Sequence, residues 1–187
     1  MITSPWTDLL DSLADAIARR SGSGWPGVER ATAALDVARA DVAEAAVEPF
    51  VTVQQIARYC SIDEVDVAIL VAAAAAELDP TIHLITGLLS GDDGPGRPTV
   101  ALVLELVGSA VASVDGLARI GENSLLRRTG LLEIQGSTAL PARRCRVPDR
   151  VVAALLGDDR PAASVRPLLI DAHPVDVAGF DLSLIHI

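Results

Sequence analysis

Residues 131–148 read Leu131-Leu132-Glu133-Ile134-Gln135-Gly136-Ser137-Thr138-Ala139-Leu140-Pro141-Ala142-Arg143-Arg144-Cys145-Arg146-Val147-Pro148. Here the apolar pattern changes period. Leu131–Gln135 and Arg143–Val147 have the character of paired strands, and Gly136-Ser137-Thr138 between them supplies turn chemistry. Alternation puts Arg144 and Arg146 on one face of the second strand. Arg143, Cys145 and Val147 take the other face, with Cys145 and Val147 as the pair that meets a core. Pro148 at a first helical position and Gly157 after Leu156 bound a helix whose apolar side is Val151, Val152, Leu155 and Leu156.

Upstream of the hairpin the period is helical. Thr7 is the expected N-cap of a first helix, with Leu9, Leu10, Leu13 and Ile17 on one face and Arg19 and Arg20 in its last turn. After the Gly/Ser/Pro loop Ser21–Gly27, residues 28–48 predict a long Ala-rich helix with Val28, Leu35 and Val42 at heptad spacing, stopped by Pro49. Thr52 with Gln55 and Ser61 with Glu64 form capping boxes that start helices over 53–59 and 62–77. The second of these is nearly all apolar from Val65 to Ala76 and predicts burial all round. Asp79-Pro80 opens a helix over 80–90, Thr99 one to about Ala112, Ser113 one to Ile120, and Asn123 one to Arg128, which Gly130 ends. Helix, β-hairpin and helix after a bundle of helices is the outline of a winged-helix domain. The expected fold class is therefore mainly α: a helical bundle followed by a winged-helix-like domain with one β-hairpin. The expected domains are a helical hairpin over 1–50, a helical and winged-helix domain over 51–157, and a linker over 158–181 marked by Pro161, Pro167 and Pro174. The last six residues, Leu182-Ser183-Leu184-Ile185-His186-Ile187, read as the translated mosaic end of a transposase-based sequencing adapter, which makes the chain the N-terminal piece of a longer protein.

Composition narrows the class. Half of the residues are hydrophobic but only 3% are aromatic, so the core must be built from Ala, Val and Leu, which suits closely packed helices. All fifteen basic residues are Arg, and the net charge is −10. Residues 1–96 carry the whole of that deficit, while 97–150 hold eight Arg against five acids, so only the middle segment could welcome an anion. Cys60 and Cys145 form neither a disulfide framework nor a zinc spacing and predict reduced thiols. No basic-then-apolar leader opens the chain, and the longest uncharged apolar run, Val67–Ala76, falls well short of the roughly 18–20 residues that span a bilayer. The expectation is a cytoplasmic protein with no membrane contact.

Few residues invite chemistry. Gly91-Asp92-Asp93-Gly94-Pro95-Gly96-Arg97 mimics a phosphate-binding loop, but Asp92 and Asp93 stand where phosphate charge would go, Arg97 replaces Lys, and Pro98 replaces the hydroxyl that holds magnesium. It reads as a rigid turn between helices. His83, His173 and His186 have no second ligand at a metal spacing. The helix-turn-helix shape over 53–77 reads as structural, because Asp63, Glu64 and Asp66 at the start of its second helix would meet phosphates with like charge. One cluster remains. Arg127, Arg128, Arg143, Arg144, Arg146 and Arg150 gather around the hairpin, either as a wing touching nucleic acid or an acidic partner, or as surface cations partly paired with Glu133 and Asp149. With almost no aromatic partner for base stacking, the second reading is favoured.

Several segments carry a family resemblance. They are Ala74-Ala75-Ala76-Glu77-Leu78-Asp79-Pro80, Asp92-Asp93 with Arg97-Pro98-Thr99-Val100, Leu125-Leu126-Arg127-Arg128-Thr129-Gly130-Leu131-Leu132-Glu133, Arg146-Val147-Pro148-Asp149-Arg150-Val151-Val152, and Leu155-Leu156-Gly157. In this order and spacing, from about Ser61 to Ile170, the chain resembles the N-terminal winged-helix region of a family of large bacterial AAA+ ATPases. It departs from that family in reading Thr81-Ile82-His83-Leu84-Ile85-Thr86 where tyrosines are usual, and Gly94-Pro95-Gly96 where a basic run is usual. The resemblance implies an AAA+ module beyond residue 187, with ATP and magnesium bound there and no catalytic, cofactor or metal residue in this chain. It also implies an unknown protein client and a homo-oligomeric parent. The expected role is partner recognition or regulation of a protein-remodelling ATPase. The alternatives are a winged-helix transcription regulator that binds DNA, and a helical oligomerisation domain built on the 7–48 hairpin.

Overall fold

The computed structural model describes residues 4–45, 50, 52–158 and 160, without the side chains of 42–45. Pro49, the Val42 side chain, His173, His186, the segment 182–187 and all of the expected linker except Asp158 and Arg160 lie outside the described residues. The architecture is mainly helical with a small antiparallel sheet. In chain order the elements are α1 (Pro5–Ser21), α2 (Val28–Ala45), α3 (Val53–Cys60), α4 (Glu64–Leu78), α5 (Pro80–Leu89), α6 (Val100–Leu106), α7 (Val114–Ile120), α8 (Leu125–Arg128), β1 (Glu133–Gln135), β2 (Arg144–Arg146) and α9 (Asp149–Leu155).

The core is organised around α4. From Ile69 to Ala76 every side chain of α4 is buried, and the chain then bends by 116° at Asp79 into α5. Asp79 accepts from the Thr81 and Ile82 amides (2.7 and 3.2 Å), and Pro80 at the first position needs no partner for a missing N–H, so the sharp bend leaves no helix end orphaned. α2 offers a narrow face of Ala31, Ala34, Leu35 and Ala38 to α1 and α5. Such small side chains let helix axes approach closely, which is how a core almost without aromatics still fills its space. Among the described residues no single helix is long and apolar enough to cross a membrane.

The opening hairpin does not stand apart. α1 packs on α4, α5 and α6 as well as α2, and Trp6, Leu10, Leu13 and Ile17 belong to the same hydrophobic cluster as Leu132, Cys145, Val147 and Leu155 at the other end of the chain. Arg19 and Arg20 do more than suit a helix dipole. Both reach Glu105 on α6, Arg20 in a two-pronged pair at 2.9 and 2.7 Å, and this holds the Glu105 carboxyl below its usual range.

Helix ends depart from the sequence reading in several places. Ser4, not Thr7, caps α1 and accepts from the Trp6 amide at 3.2 Å, because Pro5 is preset for the first helical position. Neither capping box forms. Ser61 ends α3 in the left-handed region (φ 56°), and Asp63 caps α4 by accepting from the Asp66 amide at 2.9 Å. Three residues join the two helices, and that tight joint takes up Ser61. The Thr52 hydroxyl makes no cap bond and donates instead to the Ala154 carbonyl, tying α3 to α9. α6 stops at Leu106 rather than near Ala112, since Gly108 (φ 71°) lets the Ser109 amide turn back to Leu104 O at 2.8 Å. Ser124, one residue after the expected Asn123, caps α8. Pro148 precedes α9 instead of entering it, and Leu156 is exposed past its end.

The loop Gly91–Pro98 is fastened to α5. Gly96 N donates to His83 O at 3.0 Å, Asp92 N to Gly87 O at 3.0 Å, and the Thr86 hydroxyl to Gly96 O at 2.7 Å. Gly87 lies directly beneath, where an added β-carbon would collide with the backbone of Gly94, Pro95 and Gly96. Gly87→Ala is therefore expected to lose about 1–3 kcal/mol from overpacking despite the better helix propensity of Ala. Gly94→Ala, with open space around it, is the near-neutral control. Urea unfolding of both variants checks this, and equal midpoints would contradict the packing described.

Candidate recognition face

The sheet fixes where a recognition element sits. β1 and β2 pair antiparallel with Ile134 opposite Cys145. Thr99 bridges to Arg144 on the other edge of β2, with Cys145 N donating to Pro98 O at 2.9 Å and Val100 N to Arg143 O at 2.8 Å. Residues 98–99 thus act as a minimal third strand, and the spatial order is 98–99, β2, β1. Cys145 and Val147 face the core as alternation requires, and burial pushes the Cys145 thiol up to about 12. Between the first strand position and β1 the chain runs through α6, α7 and α8. A strand position, helices and then a β-hairpin are the order of a winged helix, and in DNA-reading helix-turn-helix domains the later helix takes the groove-reading position. The model of a family described as "Winged helix domain, variant" matches residues 25–169, and the chain belongs to that family. No curated protein and no solved structure matches it.

By this topology the corresponding position here falls on α8, which leads into the hairpin, with α7 before it. The helix-turn-helix seen in the sequence over 53–77 is α3–α4, and α4 is core. The α7–α8 surface is mixed: Val114 is 88% exposed, Leu117 46% and Leu125 39%, Asp115, Glu122 and Asn123 are exposed beside them, and α8 adds Arg128, exposed, and Arg127, half-buried.

Arg119, the cation of α7, is turned inward. Its guanidinium meets Asp63 at 2.8 Å, Asp66 at 3.1 Å and Asp115 at 3.3 Å, and its side chain is only 17% exposed. This knot pins α7 to the start of α4. The bond from Arg119 holds Asp63 below the usual carboxylate range, whereas burial, reinforced by Asp63, pushes Asp66 up. Sequence reasoning missed Arg119. Only its i,i+4 spacing from Asp115 was legible; its partners on α4 are more than fifty residues away.

The six arginines around the hairpin are largely engaged. Arg144 donates to Asp92 Oδ1 at 2.6 Å and to Arg97 O at 2.7 Å, locking the wing strand to the Gly91–Pro98 loop. Arg146 bridges Glu133 and Asp149 at 3.0 and 2.8 Å, the two acids that the sequence offered as partners for some of this cluster. Arg150 lies 3.9 Å from Asp158. Arg143 and Arg127 donate to the carbonyls of Thr138 and Ile120. Arg128 is exposed, and among the described residues its guanidinium has no ion-pair or hydrogen-bond partner. The wing itself folds back: its tip is a 3-10 turn, Leu140–Ala142, that packs against α6. As for the loop resembling a phosphate cradle, the Asp92 carboxylate lies against Gly96 and is bonded to Arg144, so its polar capacity is spent internally. Among the described residues no group of three or more His, Cys, Asp or Glu is placed to hold a metal ion.

Proposed function

We propose that this winged-helix domain recognises a protein partner, and that it does so as the N-terminal regulatory region of an AAA+ ATPase rather than as a reader of DNA. The observation that carries the first part is the character of α7–α8. A helix that enters the major groove needs donors and cations to reach base edges and phosphates. Here α7 and α8 expose Val114, Leu117 and Leu125 beside Asp115 and Glu122, with Arg128 as the exposed cation of α8, and that apolar share suits the apolar centre and polar rim of a protein interface. The ATPase assignment rests on the resemblance over Ser61–Ile170, of which family membership supports the winged-helix part.

ATP and magnesium would be bound by the downstream module, and this domain would set which assembly the ring engages. Reading the intact gene beyond the codon for Asp181 tests the ATPase assignment. The expected finding is a Gly-rich loop ending in Gly-Lys-Thr or Gly-Lys-Ser after a buried strand, within about the next hundred residues. A native stop codon directly after this domain would overturn it. In the longer protein, Leu117→Asp is expected to leave basal ATP turnover intact while abolishing its response to the client.

A further inference from the structure

A second surface lies away from α7–α8. A groove of about 590 Å³ separates α1 from α3 and the first turns of α4, with the end of α6 at its base. Its walls are helix stripes at turn spacing: Pro5, Asp8, Leu9 and Ser12 on α1, and Gln54, Ala57 and Arg58 on α3. Its floor includes Val67, Ala68 and Ala72 of α4. Between Asp66 and Ala76, where α4 is otherwise buried, Ala68 reaches the surface.

Two helices side by side with small residues between them leave the groove into which a third helix packs by its side-chain ridges. The lining charges are three carboxylates, Asp8, Asp63 and Glu64, against one guanidinium, Arg58. Asp63 is shared with Arg119, while the Glu64 carboxylate has no ion-pair partner among the described residues. α1 precedes the residues matched by the family, so the groove is built partly from a segment outside that match. We propose that this groove docks an amphipathic helix of a protein partner, with apolar side chains against Leu9, Ala57 and Ala68 and basic side chains along the Glu64 edge. Charge decides between occupants: an acidic helix meets repulsion at the Glu64 edge, and a basic flank gains there.

The test uses the full chain and a fluorescein-labelled synthetic helix with Leu and Ala at i, i+3, i+4 and i+7 and Arg along one flank. An otherwise identical peptide with Glu in place of Arg is the control, and anisotropy is the readout. The Arg peptide is expected to bind one to one. Ala68→Trp, which fills the groove from an exposed position, should weaken it about tenfold. Glu64→Gln should weaken it about threefold, the scale of a rim ion pair. Ser12→Trp on the opposite wall gives an independent block, and circular dichroism confirms that each variant is folded. Leu117→Asp, on the α7 surface, should leave this binding unchanged. Equal binding of the Glu peptide, indifference to both Trp variants, or absence of binding overturns the proposal. So does a dimer of the chain that Ala68→Trp dissolves, since a second copy would then be the occupant.

Discussion

Arg119→Leu is expected to lower the unfolding free energy at neutral pH by about 2–4 kcal/mol. The figure lies somewhat below the 3–5 kcal/mol typical of stripping one partner from a fully buried pair, because Asp63 and Asp115 are well exposed and contribute little. Most of the loss comes from Asp66, whose side chain is 11% exposed and would be left charged with no counter-ion beside Asp63. The pH dependence has a definite sign. Asp66 is already raised above the ordinary carboxylate range, so it favours the folded state when protonated and loses that contribution as pH rises through its folded value. Asp63 is depressed, so its contribution is present above the ordinary range and is lost on acidification. Without Arg119 the first effect grows and the second shrinks. The deficit of the variant should therefore be largest near neutrality and narrow as pH falls towards the ordinary carboxylate range. Adding Asp66→Asn should recover part of the lost stability. Urea titrations of the single and double variants at two pH values decide it: a pH-independent deficit, or one below about 1 kcal/mol, would contradict an Arg119-centred knot.

Leu13→Ala is expected to cost about 2–5 kcal/mol, the usual range for emptying a fully buried leucine site. The informative part is where the damage is felt. Leu13 lies on α1, yet its cluster extends to the wing hairpin and α9. Unfolding followed by Trp6 and Trp25 fluorescence should coincide with the loss of protection of the fully buried Cys145 thiol, measured in a Cys60→Ala background. Both transitions should move together to lower denaturant. If the first two helices form a unit of their own, Cys145 protection will stay where it was while the fluorescence transition shifts.

Much of the fold was legible because it follows local rules. The apolar face of α1, the burial of α4, the Asp79-Pro80 start of α5 and the alternation that sends Cys145 and Val147 inward were all visible as period and capping chemistry. What escaped were choices settled by tertiary context. Ser61 looks like a cap from sequence, but a three-residue joint makes it a left-handed terminus. Thr52 looks like a cap too, but α9 offers its hydroxyl a better partner. The candidate site was only half legible. Glu133 and Asp149 could be named as partners for some of the arginines because they lie close by in the chain, though not that both meet Arg146, whereas Arg144 with Asp92 and Arg119 with Asp63 join distant segments that no local pattern links. Position in the sheet was hidden as well, since a third strand only two residues long, at Pro98-Thr99, leaves no trace in hydropathy.

The central claim is that a winged helix whose α7–α8 face exposes Val114, Leu117 and Leu125, with Arg128 as the exposed cation of α8, binds protein and not duplex DNA. Its most direct test is anisotropy of a labelled random-sequence duplex titrated with the intact chain at about 50 mM salt, where backbone attraction is strong. The account predicts no saturable binding up to about 100 µM protein. A saturable, salt-sensitive rise that Arg128→Ala or Arg143→Ala weakens would contradict it and make the wing a DNA contact after all.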